Sequence, residues 1–135
     1  MKADPPTRTF EAKRDLPPRT FEFARRIVEL CRTLDQTPGV SRTLANQLLR
    51  SGTSIGANVE EAQAGQSRAD FVAKTYIACK EARETHYWLR LLAASQIGEP
   101  ERLSDLTNEA SQLVAILTSI VKSARANQNG RTSPK

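Results

Sequence analysis

The chain has 135 residues, enough for one domain with a core of its own, and is 39% hydrophobic but only 5% aromatic. Its net charge of +5 is carried at the ends: residues 1–32 hold eight Lys/Arg against five acids, residues 33–109 eight against ten, and residues 110–135 four against none. No apolar run reaches the ~18 residues of a membrane span, no secretory signal opens the chain, and Cys31 and Cys79 stand alone, which excludes a disulfide framework and points to a reduced cytoplasmic protein.

Residues 1–19 carry Pro5-Pro6 and Pro17-Pro18 among charges and are expected to form an extended basic arm, with Phe10 and Leu16 as its apolar contacts. Thr20 is a candidate N-cap for a first helix whose core stripe is Phe23, Ile27, Leu30, Cys31 and Leu34, ending at Pro38-Gly39. Ser41 is the expected cap of a second helix, which runs to about Ala64 before Gly65. Ser67 with Asp70 resembles a capping box and opens a third helix that reaches about Ala94. After Gly98-Glu99-Pro100, a fourth helix carries Leu103, Leu106, Ala110, Leu113, Leu117, Ile120 and Ala124 in an unbroken heptad stripe. From Arg125 on the sequence lacks apolar side chains, and a disordered basic tail (125–135) is expected. Short turns between long helices favour antiparallel neighbours. The expected fold is therefore all-α, an up-down-up-down antiparallel four-helix bundle over residues 20–124, with a flexible arm and tail.

The stretch "RSGTSIGANVEEAQ" (residues 50–63) tests whether glycine and hydroxyl residues form a phosphate loop. A P-loop needs Lys and Ser/Thr directly after its second glycine, and a strand before the loop; both are absent here. Leu44, Leu48, Ser51, Ile55, Val59 and Ala62 instead hold helical register straight through Gly52 and Gly56. Two interior glycines cost roughly 2 kcal/mol of helix propensity, so a close neighbouring backbone must offset them. Beside this seam Gln47, Arg50, Ser54, Asn58 and Glu61 form a polar strip, readable as a binding strip, a hydrogen-bonded network or a solvated face.

The third helix has more large side chains than one core stripe needs. Opposite Phe71, Thr75, Ala78, Ala82, Thr85, Leu89 and Leu92 lie Tyr76, Lys80, Arg83, Tyr87 and Arg90, and a third line holds Ile77, Glu81, Glu84, Trp88 and Leu91. Tyr, Trp and Arg are enriched both in protein interfaces and where bases stack. Tyr76, Tyr87, Trp88 and Leu91 are accordingly the candidate oligomer interface, unless the N-terminal arm covers them. Arg25, Arg26, Arg32, Arg83 and Arg90 are the candidate phosphate contacts. Catalysis has little material: His86 is the only histidine, no Glu-x-x-His pair occurs, and Glu60-Glu61 reads as the polar end of a helix. No catalytic residue, metal or cofactor is expected.

The runs "RTFEFARRIVELC", "NQLLRSGTSIGANVEEA" and "DFVAKTYIACKEARETHYWLRLL", with the leucine heptads after them, resemble the bacterial 23S rRNA intervening-sequence proteins over roughly residues 19–122. The most specific part is the second helix, where Gln47, Arg50, Ser51, Ser54, Ile55, Asn58, Val59 and Glu61 match the family's pattern. Glu60 and Ala62 depart from it, and they bear on where that helix ends. The resemblance implies a four-helix bundle assembled into homo-oligomers, typically a five-subunit ring, with no enzymatic activity attached. It is also similar to the basic pentameric accessory proteins of diversity-generating retroelements, which engage a reverse transcriptase and nucleic acid. Two functions follow: an RNA-associated oligomeric binding protein, or an oligomeric scaffold that contacts only proteins.

Overall fold

A computed structural model describes the backbone of residues 5–132 and the side chains of residues 15–127. Four helices follow one another: α1 (Pro5–Asp35), α2 (Val40–Gln63), α3 (Arg68–Ala94) and α4 (Pro100–Thr132). Each packs extensively on its neighbours in sequence, α1 meets α4 along a narrower line, and the diagonal pairs stay apart among the described residues. This is the antiparallel four-helix bundle expected from the stripes. Phe23, Ile27, Leu30, Leu48, Ile55, Leu89, Leu92, Leu103, Leu106, Leu113 and Leu117 are its fully buried large side chains. At about 25 cal/mol per Å² of apolar surface, burying each contributes on the order of 1.5–3 kcal/mol.

The ends of the chain differ from expectation. Residues 5–19 are helical and continuous with α1, and α4 runs through residues 125–132; residues 1–4 and 133–135, and the Phe10 contact, lie outside what is described. The reason at the N-terminal end is burial: Leu16 and Thr20 extend the stripe of Phe23 and Ile27 one turn further, and both are buried. Leu16 lies beside Val59, Ala62, Phe71 and Ile120, where all four helices converge around a void of only about 10 Å³. That packing carries the helix through Pro17 and Pro18 despite the amide donors they lack. Thr20 is therefore not a cap. Its hydroxyl sits in the core and donates to the Leu16 carbonyl at 2.8 Å. At the other end the Arg125 guanidinium lies 4.9 Å from the Tyr76 ring centroid.

Ser41 is not a cap either. α2 starts at Val40, two residues earlier than a Ser41 cap would place it, behind Gly39 at φ 91°. The Ser41 hydroxyl instead donates to Leu34 O at 2.7 Å, and Arg42 donates to Asp35 O at 2.9 and 3.1 Å. The first turn of α2 thus satisfies carbonyls that the end of α1 leaves open. Ser67 does cap α3, accepting from the Asp70 amide at 3.1 Å. α3 ends with Gln96 left-handed at φ 59°, its amide bonded to Ala93 O and that of Ile97 to Leu92 O, the paired closure of a Schellman motif.

Gly52 and Gly56 lie in unbroken helix with their faces against α1. A Cβ on Gly52 would stand 2.9 Å from Ile27 Cγ2, and one on Gly56 3.2 Å from Thr20 O. On the adjoining side of α2, buried Ser51 accepts a hydrogen bond from Thr85 of α3 at 2.9 Å. Glycine brings α1 close and serine meets α3, so the small residues serve as a packing seam.

Candidate nucleic-acid interface

Five cations of the described chain, Arg19, Arg25, Arg42, Arg50 and Lys74, are paired with acids. Arg19 binds Glu109 at 2.7 and 3.0 Å and reaches Gln112, clasping α1 to α4; the hydrogen bond to Glu109 raises the Arg19 pKa despite partial burial. Arg25 bridges Glu22 and Glu29 at 2.7 and 2.6 Å on the surface of α1, and the Arg25 hydrogen bond holds the Glu22 carboxyl below its ordinary range. Arg42 pairs with Asp35, and Lys74 stands 4.0 Å from Glu61. Of the other α1 candidates, Arg26 is half-buried. Arg32 borders a cleft of about 200 Å³ with Asp35 and Leu49.

In the polar strip of α2, Arg50 and Glu61 pair with charges of α3. Arg50 pairs with both Glu81, at 3.4 Å, and Glu84. Glu84 also accepts from the Trp88 indole at 2.9 Å. Asn58 donates back to Ser54 O at 2.9 Å, and Gln47 is exposed. Trp88 and Leu91 are half-buried, whereas Tyr76, Ile77 and Tyr87 are exposed, Tyr87 by 49%.

The groove between α3 and α4 is different. Arg83, His86 and Arg90 occupy positions i, i+3 and i+7 of α3, so they line one side of the helix, and with Ser111 and Val114 of α4 they enclose a cleft of about 270 Å³. Arg90 also borders a larger open cavity of about 730 Å³ that continues toward the α3–α4 turn, lined by Gln96, Ser104, Thr107 and Asn108 beside Leu103 and Pro100. Neither lining contains a carboxylate. Further along, Thr118 of α4 meets Cys79 of α3 at 3.3 Å, Lys122 follows one turn later, and Arg125 and Lys80 (5.7 Å) flank the Tyr76 ring. Arg90 lies 5.8 Å from the Tyr87 centroid. Among the described residues Lys80, Arg83, Arg90 and Arg125 form no ion pair. The acids of both helices turn away: Glu81 and Glu84 to Arg50, and Glu109 to Arg19, with Glu101 and Asp105 on the row of Glu109. Burial, and then the Arg90 charge, lower the His86 pKa.

Sequence spacing grouped Arg83 and Arg90 with Arg25, Arg26 and Arg32; the fold separates them. It also adds Lys80, His86, Ser111, Lys122 and Arg125 to the first group. Their signal was a helical row of α4, Ser104, Asn108, Ser111, Thr118, Lys122 and Arg125, that contains no acid.

Taken together, these features define a helical-bundle protein with a basic groove free of carboxylates, no helix long and apolar enough to cross a membrane, and no cluster of three or more His, Cys, Asp or Glu able to hold a metal, both absences among the described residues. The family model of the 23S rRNA-intervening sequence protein matches residues 15–119, and the chain belongs to that family. It is similar to a crystal structure of a protein of unknown function from the S23 ribosomal protein family of Bacteroides thetaiotaomicron VPI-5482. That structure shares 43% identity at a TM-score of 0.74, covering 82% of this chain and 97% of the other. No curated protein matches the chain.

Proposed function

We propose that this chain is a non-enzymatic RNA-binding protein of the cytoplasm that works as a homo-oligomer, a five-subunit ring being the form its family resemblance implies. The reading is carried by the α3/α4 groove, where Arg83 and Arg90 line cavities that contain no carboxylate, while Arg19, Arg25, Arg42, Arg50 and Lys74 elsewhere each have an acidic partner. Cations lining a groove free of carboxylates suit a phosphate backbone. Tyr76 and Tyr87 in the same face offer rings on which bases stack. Exposed Ile77 and the half-buried Trp88 and Leu91 on the same row of α3 supply apolar surface for the neighbouring subunit.

The test is light-scattering mass with and without a single-stranded RNA, repeated across salt. A mass several times 14.9 kDa is expected. If Lys80, Arg83, Arg90, Lys122 and Arg125 all meet phosphates, log K should fall against log salt with a slope of about −3.5 per subunit engaged. A monomer that ignores RNA at low salt refutes the proposal. The competing reading is a scaffold that contacts only proteins. It is favoured by Phe21, 64% exposed on α1, and predicts assembly with no salt-dependent RNA binding.

A further inference from the structure

The α3/α4 groove has two chemically distinct halves. The Arg83–His86–Arg90–Ser111 cleft presents donors and no carboxylate, which suits an anion of about the size of one phosphate. The adjoining cavity does not share that character beyond Arg90. Asn108 and Gln96 each present an amide oxygen as well as an amide nitrogen, Ser104 and Thr107 present hydroxyls that can accept, and Leu103, Pro100 and Ala93 form apolar walls. A phosphate has no use for acceptors or for apolar walls, but a nucleobase, flat and carrying donors and acceptors on its edge, uses both. The cavity, about 730 Å³, falls within the roughly 300–1,000 Å³ of small-ligand sites. Arg90 borders both halves, so a base in the cavity and its phosphate in the cleft share that side chain.

We infer that this groove is a site for one unpaired nucleotide of RNA, with phosphate at Arg83, His86, Arg90 and Ser111 and base in the cavity lined by Gln96, Ser104 and Asn108. The inference rests on the RNA-binding reading above and narrows it. A base inside a duplex keeps its pairing edge occupied and its faces stacked, and the deep, narrow major groove of A-form RNA admits no such helix-lined cavity. Only a base turned out of a strand can enter.

The experiment is fluorescence anisotropy with a labelled non-self-complementary twelve-nucleotide RNA and with its blunt duplex. The native protein is compared with Asn108→Leu, Ser104→Leu and Arg90→Gln, with the oligomeric mass and thermal midpoint of each measured alongside. Asn108 and Ser104 are exposed, so neither variant disturbs the core. The single strand should bind about fivefold tighter than the duplex. Asn108→Leu and Ser104→Leu should each weaken the single strand by about fivefold while leaving the duplex unchanged, and Arg90→Gln should weaken both. Equal binding of strand and duplex, insensitive to both cavity variants, overturns the nucleotide site while leaving an RNA-binding surface. No binding of either RNA overturns the underlying function as well, and an Arg90→Gln variant that loses its oligomer but keeps RNA reassigns the face to subunit contact.

Discussion

Replacing Gly52 by alanine sets two effects of known sign against each other. Alanine stabilises a helix interior by about 1 kcal/mol relative to glycine. The added Cβ, however, would lie 2.9 Å from Cγ2 and 3.0 Å from Cγ1 of Ile27. Ile27 is fully buried and β-branched, so its methyl groups have nowhere to turn and α1 itself must move. Overpacking of this kind costs about 1–3 kcal/mol. The net expectation for Gly52→Ala is destabilisation by about 1 kcal/mol, a fall of roughly 0.5–1 M in the urea midpoint followed by circular dichroism. Protein concentration must be held fixed, because an oligomer's midpoint depends on it. Ile27→Ala removes the obstructing atoms, so the double variant should be less destabilised than the sum of the singles by about 1–2 kcal/mol. A Gly52→Ala protein that is more stable by about 1 kcal/mol, with no coupling to position 27, would refute the close approach of α1 and α2.

Thr85→Val should cost about 1–2 kcal/mol by stranding the buried Ser51 hydroxyl, whose other contact, Leu48 O, is at 3.5 Å; Ser51→Ala in the same chain should restore much of it, measured by chemical denaturation. Burial pushes the Cys31 thiol up to about 12, so at pH 8 the native protein should leave Cys31 unlabelled by iodoacetamide, with labelling only on unfolding, read by peptide mass spectrometry. The His86 pKa is lowered in the folded chain from 6.5. The unfolded chain therefore binds more protons, and the stability His86 contributes is full above that value and lost as pH falls through the folded one; His86→Gln should flatten this part of the melting-temperature profile. An anion in the Arg83–Arg90 cleft favours the protonated imidazole, so RNA affinity should rise as pH drops from 8 to 6 in the native protein and not in His86→Gln, by anisotropy at constant salt.

The bundle was legible because its core obeys one periodicity. Leu103 through Ala124 and Phe23 through Leu34 are all buried, and the Ser67 cap and the end of α3 at Ala94 fall where turn chemistry puts them. The errors at Thr20 and Ser41 share one cause. A hydroxyl beside a proline or glycine reads locally as a cap, but each of these donates to a carbonyl of α1 from a buried position, and burial is set by neighbours distant in sequence. The Pro17-Pro18 pair reads as a break for the same reason: propensity sees missing amides, while Leu16 packing overrides them. Arg25 shows the limit on site residues. Its charge is plain in the sequence, yet flanking Glu22 and Glu29 neutralise it, while Arg83 stays uncompensated with Glu81 and Glu84 close by in the chain.

That last contrast explains why the basic groove is invisible to any count of charge. In "KEARETHYWLR", residues 80–90, acids and bases are interleaved and nearly cancel. Helical winding sorts them by angle, sending Glu81 and Glu84 toward Arg50 of α2 and leaving Arg83, His86 and Arg90 toward α4. The row that α4 presents in return is hydroxyl, amide or basic, because its acids face α1, where Arg19 takes Glu109. The Arg50 and Arg19 pairs are partly exposed and add little to stability on their own. Their larger effect is to hold carboxylates away from the groove. Arg50→Met should then leave the fold nearly unchanged and weaken RNA binding, by freeing Glu84 to compete for the cations of α3. Unaltered affinity in that variant would mean that the charge pattern of the groove is set by helix geometry alone.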